Sequence, residues 1–339
     1  MVVYQELTQK KKKKKKKKIP FATKEFKIFL NSYNLDSSQK IRTALRTNHQ
    51  FHANYDKDIN ADEDWVNHVV YSLVREYEFE NLDRHHNEVW YQSHIWSMTE
   101  SCFDKVKGIE AVTGESTSLG SKIRMNQNRI PTAINMSRLA YGYKCDLVFR
   151  QYDNGHNTSL EFGGREAKLI IEGGFGSKFL QEGFLNLSFI QKDMLDVLLE
   201  KVGYDDLFFF LRTVGFIHSG LSCTMVELDR PTSYISRVSR GNKIKISNSV
   251  LNFGSTVLPA TLSSWICCEI IKEILDIILS DKEENPNDTS WVIKCLERPA
   301  LPNTPTTPSS SSSSSSSSIN TNHKRQKYQS SNFIKVIIL

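Results

Sequence analysis

Lys144-Cys145-Asp146-Leu147-Val148-Phe149, followed by Ser159-Leu160-Glu161-Phe162-Gly163-Gly164-Arg165-Glu166-Ala167-Lys168, decides the reading of this 339-residue chain. Cys145 to Phe149 and Ser159 to Phe162 are short runs bounded by Gly, Asn and Asp, the pattern of strands, and Ile109 to Val112 after Gly108 is another. Helical spacing lies on both sides. Upstream, Trp65, Val66, Val69, Val70, Leu73 and Val74 recur every three to four residues behind Asp62-Glu63-Asp64, which predicts a helix with one buried face. A second helix is expected from Asn87 to about Val106. Downstream, Lys178 to Val202 has helical content with a break near Gly183. Three strands then follow as a meander, Phe208 to Ile217, Leu221 to Leu228 and Tyr234 to Val238. An amphipathic helix from about Thr261 to Leu279 closes the series over one face of the sheet. The fold class is therefore α/β (α+β), a mixed central sheet flanked by helices.

The same stretch carries the chemistry. Asp146 and Glu161 fall on neighbouring strands, and Glu166-Ala167-Lys168 follows. Two carboxylates so placed can hold Mg²⁺, while a lysine beside them orients a water or steadies charge on a phosphate being cut. Side chains alternate across a sheet, so Glu166 and Lys168 share a face and Glu161 falls on the other one. A bulge at Gly163-Gly164 would reverse that parity.

This arrangement resembles the restriction-endonuclease-like, PD-(D/E)XK-type nuclease fold, in which a helical Glu precedes a strand Asp and a strand Glu-x-Lys. The resemblance covers roughly residues 85 to 240, with Glu88 as the helical member. It implies catalytic residues Asp146, Glu161, Glu166 and Lys168, metal ligands Asp146, Glu166 and Glu88, and Mg²⁺ as cofactor if there is one. Aligning Glu161 with the family's strand Glu puts Gly163 where the lysine belongs; only Glu166-Ala167-Lys168 keeps the motif whole. The chain also resembles a group of fungal proteins without established activity. The shared segments are Gly114-Glu115-Ser116, Lys144-Cys145-Asp146-Leu147, Leu160 to Glu166 and Gly215-Phe216-Ile217-His218-Ser219-Gly220.

Other candidates carry less. Glu172-Gly173-Gly174-Phe175-Gly176-Ser177-Lys178 is phosphate-friendly but lacks Walker A spacing, and a strand-to-helix turn explains it better. His85, His86, Glu88 and His94 match no metal-site spacing, so solvated histidines are expected. Ser116 to Met136, with Asn126, Asn128 and Arg129, reads as a polar loop. Arg237, Arg240, Lys243 and Lys245 read as a basic hairpin around Gly241-Asn242, suited to phosphate or to guarding a strand edge. Serine-hydrolase and protein-kinase signatures are missing from the sequence.

The net charge is +6, but the run Lys10 to Lys18 supplies nine positive charges, which leaves the rest at −3. Attraction to nucleic acid must then come from that tail or from a local patch. Six cysteines without regular spacing read as buried reduced thiols. Trp265 to Leu279 is too short and too charged to span a bilayer.

These features divide the chain into a Lys-rich tail (1–22), an N-terminal helical region (23–84), an α/β nuclease-like domain (85–298) and a Pro/Ser-rich tail (299–339). The closing Phe333 to Leu339 reads as a docked strand or a sticky end. The functional expectation is a nuclease-like protein of mobile-element type, nuclear or cytoplasmic, that hydrolyses DNA or RNA with Mg²⁺ or binds it without cutting. The alternative is a non-catalytic module that binds a protein partner.

Overall fold

The computed structural model describes residues 20, 22–47, 54–127, 138–152, 160–168, 184–202, 209–232 and 234–280, with backbone alone at 153, 156–159 and 334–338. The lysine tract, Asn128, Arg129, the glycine-rich segment 172–178, Cys295, the serine run and the late basic cluster lie outside these residues.

Three helices come first: α1 (Lys24–Asn31), α2 (Ser38–Thr47) and α3 (Lys57–Glu78). Asp56 caps α3 by accepting the Asp58 N–H at 2.8 Å, and all six apolar residues of the predicted stripe are buried. The helix expected over Asn87 to Val106 is instead two short ones, α4 (Glu88–His94) and α5 (Met98–Ser101). The chain turns between them where Ile95 and Trp96 are buried, and the Trp96 indole N–H donates to the Gly220 carbonyl at 2.7 Å.

Among the described residues the sheet has eight strands. In chain order they are β1 (Ile109–Thr117), β2 (Lys144–Asp153), β3 (His156–Lys168), β4 (Arg212–Ser219), β5 (Ser222–Thr232), β6 (Ile235–Arg240), β7 (Ile244–Lys245) and β8 (Ile334–Ile338). Their spatial order is β1-β2-β3-β4-β5-β6-β8, with β7 pairing β5. Every pairing is antiparallel except β3 with β4, which run parallel across the connection that contains α7 (Leu187–Lys201). The expected meander is β4-β5-β6. Two readings are corrected. Lys243 and Lys245 do not close a hairpin on β6, because β7 pairs β5 and the outer edge of β6 is taken by β8. The expected polar loop after Ser116 contains α6 (Leu119–Asn126), capped by the Ser118 side chain.

Helices cover both faces. The register places α6 and α7 over one side of β3, while α4, α5 and α8 (Phe253–Ser280) lie on the other. Helix α8 starts before the expected Thr261 and carries Pro259 within it. Phe26 of α1 stacks on Trp265 of α8 at 5.1 Å, and one apolar core runs from Ala22 to Ile278. The packing is therefore continuous across residues 84 and 85. Among the described residues, no helix is long and apolar enough to cross a membrane.

Strands β3 and β4 approach closely. A Cβ on Gly215 would sit 2.2 Å from the Gly164 carbonyl oxygen, and one on Gly163 would sit 1.6 Å from the Val214 oxygen. Backbone cannot yield as a flexible side chain does. Gly215→Ala is therefore expected to cost about 3 kcal/mol, read as a lower urea midpoint at unchanged slope.

Candidate functional site

Two irregularities in the ladders build the site. In β1, the register with β2 slips between Thr113 and Ser116, where Gly114 (φ 90°) and Glu115 (φ 54°) both take left-handed conformations. This bulge lies opposite Asp146. In β3, Phe149 pairs with Gly163 and Arg150 with Glu161, so Phe162 is an extra residue. The bulge falls at Phe162, just before the expected Gly163-Gly164; it reverses parity, and the register sets Glu161 on the same face as Glu166.

Sharing a face does not bring Glu161 to Glu166. The Glu161 carboxylate is fully buried and accepts four groups: the Ser118 hydroxyl (2.7 Å), the backbone N–H of Leu119 (2.9 Å) and Gly120 (3.0 Å), and the Arg150 guanidinium (2.7 Å). It caps α6 and neutralises a buried arginine. These bonds occupy both of its oxygens, so the structure gives Glu161 an architectural place apart from the other candidates.

Asp146, Glu166 and Lys168 do come together. Strand β2 parts from β3 after Leu147 pairs with Arg165, and the Asp146 carboxylate takes the Ala167 N–H at 2.6 Å. Lys168 Nζ lies 3.2 Å from Glu166 Oε2, with side chains 25% and 8% exposed. Burial, then repulsion by Asp146, pushes Glu166 up to about 7, against the opposing pull of Lys168 and the Cys145 thiol. Burial works to lower Lys168, but the charges of Glu166, Asp146 and Glu88 outweigh it and hold the ammonium above its ordinary value. Burial, then the charges of Glu166, Glu161 and Asp146, push the Cys145 thiol well up, so it stays an S–H donor beside Glu166. Glu88, in the first turn of α4, accepts from the Gln92 amide at 3.3 Å and lines a cleft with Lys168.

The three expected metal ligands are not gathered into one cage. Among the described residues, no group of three or more His, Cys, Asp and Glu side chains is placed to hold a metal ion. Asp146 and Glu166 are neighbours, whereas Glu88 acts on Lys168. One or two carboxylates, with water and a substrate phosphate, are what Mg²⁺ usually uses. Asp146 and Glu166 are the two carboxylates that could supply such oxygens, with Glu88 outside the pair.

The other candidates find local partners. His86 and His94 both stack on Trp90, at 3.6 and 4.7 Å, and His94 Nδ1 lies 3.1 Å from Glu76. Arg237 pairs with Asp229, and Arg240 lies 3.6 Å over the Phe184 ring. The five described cysteines are free and buried. Sequence reasoning passed over Arg150, Ser118, Arg165 and His218, which lie in or against the same sheet. Arg165 is buried and pairs with Glu100 at 2.6 Å. An arginine inside a strand gives no sequence signal of burial; only the register that faces it with a carboxylate does so.

Compared with family models, with curated proteins and with solved structures, the chain matches none.

Removing the Glu161 carboxylate leaves Arg150 charged and buried. Glu161→Ala is expected to lower unfolding stability by about 3 to 5 kcal/mol, measured by denaturant titration. Glu166 has the opposite sign of effect. Its folded pKa lies above its unfolded value, so the folded state binds the extra proton between roughly pH 4.5 and 7, and its ionisation erodes stability as pH rises through that window. Glu166→Gln has no such proton to lose. Relative to the parent it is expected to gain about 2 kcal/mol between pH 5.5 and pH 8, which melting curves at the two pH values will read.

Proposed function

We propose that this protein is a nuclease-like α/β protein that acts on nucleic-acid phosphodiesters with Mg²⁺, at Asp146, Glu166 and Lys168. The observation that carries the reading is the meeting of Asp146 with Glu166-Ala167-Lys168 where β2 and β3 part. The element order supports it: a helix bearing Glu88, three antiparallel strands, α7, and then β4 parallel to β3. That is the order of the restriction-endonuclease-like core, which the chain resembles in sequence.

Each residue has a defined task in this reading. Asp146 and Glu166 supply the two oxygen ligands, and a bound Mg²⁺ would polarise the scissile phosphate and acidify a water. Asp146 is held by the Ala167 N–H, so its carboxylate is preset rather than free to rotate. Glu166 must be ionised to serve, and with its pKa near 7 cation binding competes with a proton, so activity rises through neutral pH. Lys168 is the only member with a positive charge, placed to steady the phosphate and orient the attacking water. Glu88 adds a smaller attraction that favours the charged Lys168 ammonium.

A specific observation favours a second reading, a derivative that binds nucleic acid without cutting. Glu166 is largely buried, close to Lys168 and only about half ionised at pH 7, which weakens it as a ligand.

The full chain is expected to cleave single- or double-stranded DNA or RNA with Mg²⁺ or Mn²⁺, with at least a hundredfold loss in Asp146→Ala/Lys168→Ala. Salt-sensitive binding without cleavage by either protein favours the second reading. A stoichiometric protein partner with no salt-sensitive binding to nucleic acid favours a protein-interaction module.

A further inference from the structure

His218 is the one described histidine with both ring nitrogens buried and unbonded. It stands on β4, level with Ala167 of β3, and is 1% exposed. Its ring stacks on Trp96 (4.4 Å, 15°) and on Phe216 (5.6 Å, 23°). Neither Nδ1 nor Nε2 meets a hydrogen-bonding group of the protein. Burial and the nearby Arg165 charge keep the imidazole neutral, with one N–H to donate and one nitrogen to accept. A buried polar ring with neither need met is costly, and folds rarely leave one so.

The ring lines a cleft shared with Lys168, Glu88, Gln92 and Trp96. The cleft has about 10 Å³ of room for the centre of a water-sized sphere, close to what one water molecule needs. A buried water also needs two to four polar partners. His218, Lys168 and Glu88 line the cleft and carry groups that can meet this need, and the stacked aromatic rings fix the position of the first.

We propose that this cleft binds a single water molecule bridging the His218 imidazole to Lys168, and that His218 is a positioning residue for that lysine. Its catalytic consequence rests on the nuclease reading; the water site itself does not. Through the bridge, a neutral imidazole packed against Trp96 and Phe216 limits where the Lys168 ammonium can sit beside Glu166.

Two experiments on the full chain separate the claims. A high-resolution crystal structure is expected to show density within about 3 Å of a His218 ring nitrogen and of Lys168 Nζ; a dry cleft overturns the water site. His218→Phe keeps the stacking and removes both nitrogens, whereas His218→Gln restores a donor and an acceptor. With Mg²⁺ and a nucleic-acid substrate, the Phe variant is expected to lose about tenfold in kcat at unchanged KM, and the Gln variant to recover most of it. A Phe variant with parental kcat overturns the positioning role. If the parent does not cleave, the nuclease reading falls and the water site is judged on density and melting alone. A Phe variant that melts higher than the parent then means the nitrogens were unsatisfied, and the proposal fails.

Discussion

The buried carboxylate of Glu161 ties together the elements on which the candidate site is mounted. It is reached by the Arg150 guanidinium from β2, by the Ser118 hydroxyl and by two backbone N–H groups at the start of α6. One side chain of β3 thereby joins β2, β3 and α6. A buried charge survives only when its lone pairs are met, and breaking one partner leaves the other stranded. This constraint holds β2 and β3 in register up to Leu147, beyond which they separate and Asp146 is released toward Ala167.

Bulges turn that framework into a site. The extra Phe162 changes the parity of β3, so the face that serves architecture at Glu161 serves chemistry at Glu166 and Lys168. The β1 bulge at Gly114 and Glu115 stands across from Asp146, where the regular ladder would otherwise continue. Backbone strain at Glu115 is then concentrated beside the candidate carboxylates. The electrostatics follow from the same packing. Two acids forced together in a largely dry place repel, Glu166 holds its proton to near neutrality, and Lys168 is kept charged by three carboxylates.

Much of this was legible in the residues. The stripe from Trp65 to Val74 lies in α3, the expected meander is β4-β5-β6, and the run of three strands, a helix, the meander and a closing helix is as read, although α6 intervenes between β1 and β2. Apolar periodicity reports burial directly, which is why those elements could be found. The strands proved longer than their apolar runs, because β2 and β3 continue through polar residues that the neighbouring strand holds by hydrogen bonds. Helix α6 was invisible for the same reason: it is short and polar and is secured by Ser118 and Glu161 rather than by an apolar stripe.

Among the candidate residues, Asp146, Glu166 and Lys168 could be named from spacing, because an acid-x-lysine on a strand shares a face by geometry alone. Glu161 and Glu88 could not be sorted that way. Whether a carboxylate binds a ligand or braces the fold depends on what the register sets opposite it, and Arg150 was unreadable as a buried partner. The sequence by itself determined the strongly periodic elements, their order and the acid-x-lysine spacing, since these follow from local periodicity. Only the tertiary structure decided that Glu161 is architectural, that Glu88 stands with Lys168 and that His218 lines the cleft. Those roles arise from contacts between residues far apart in the chain, and local pattern carries no record of them.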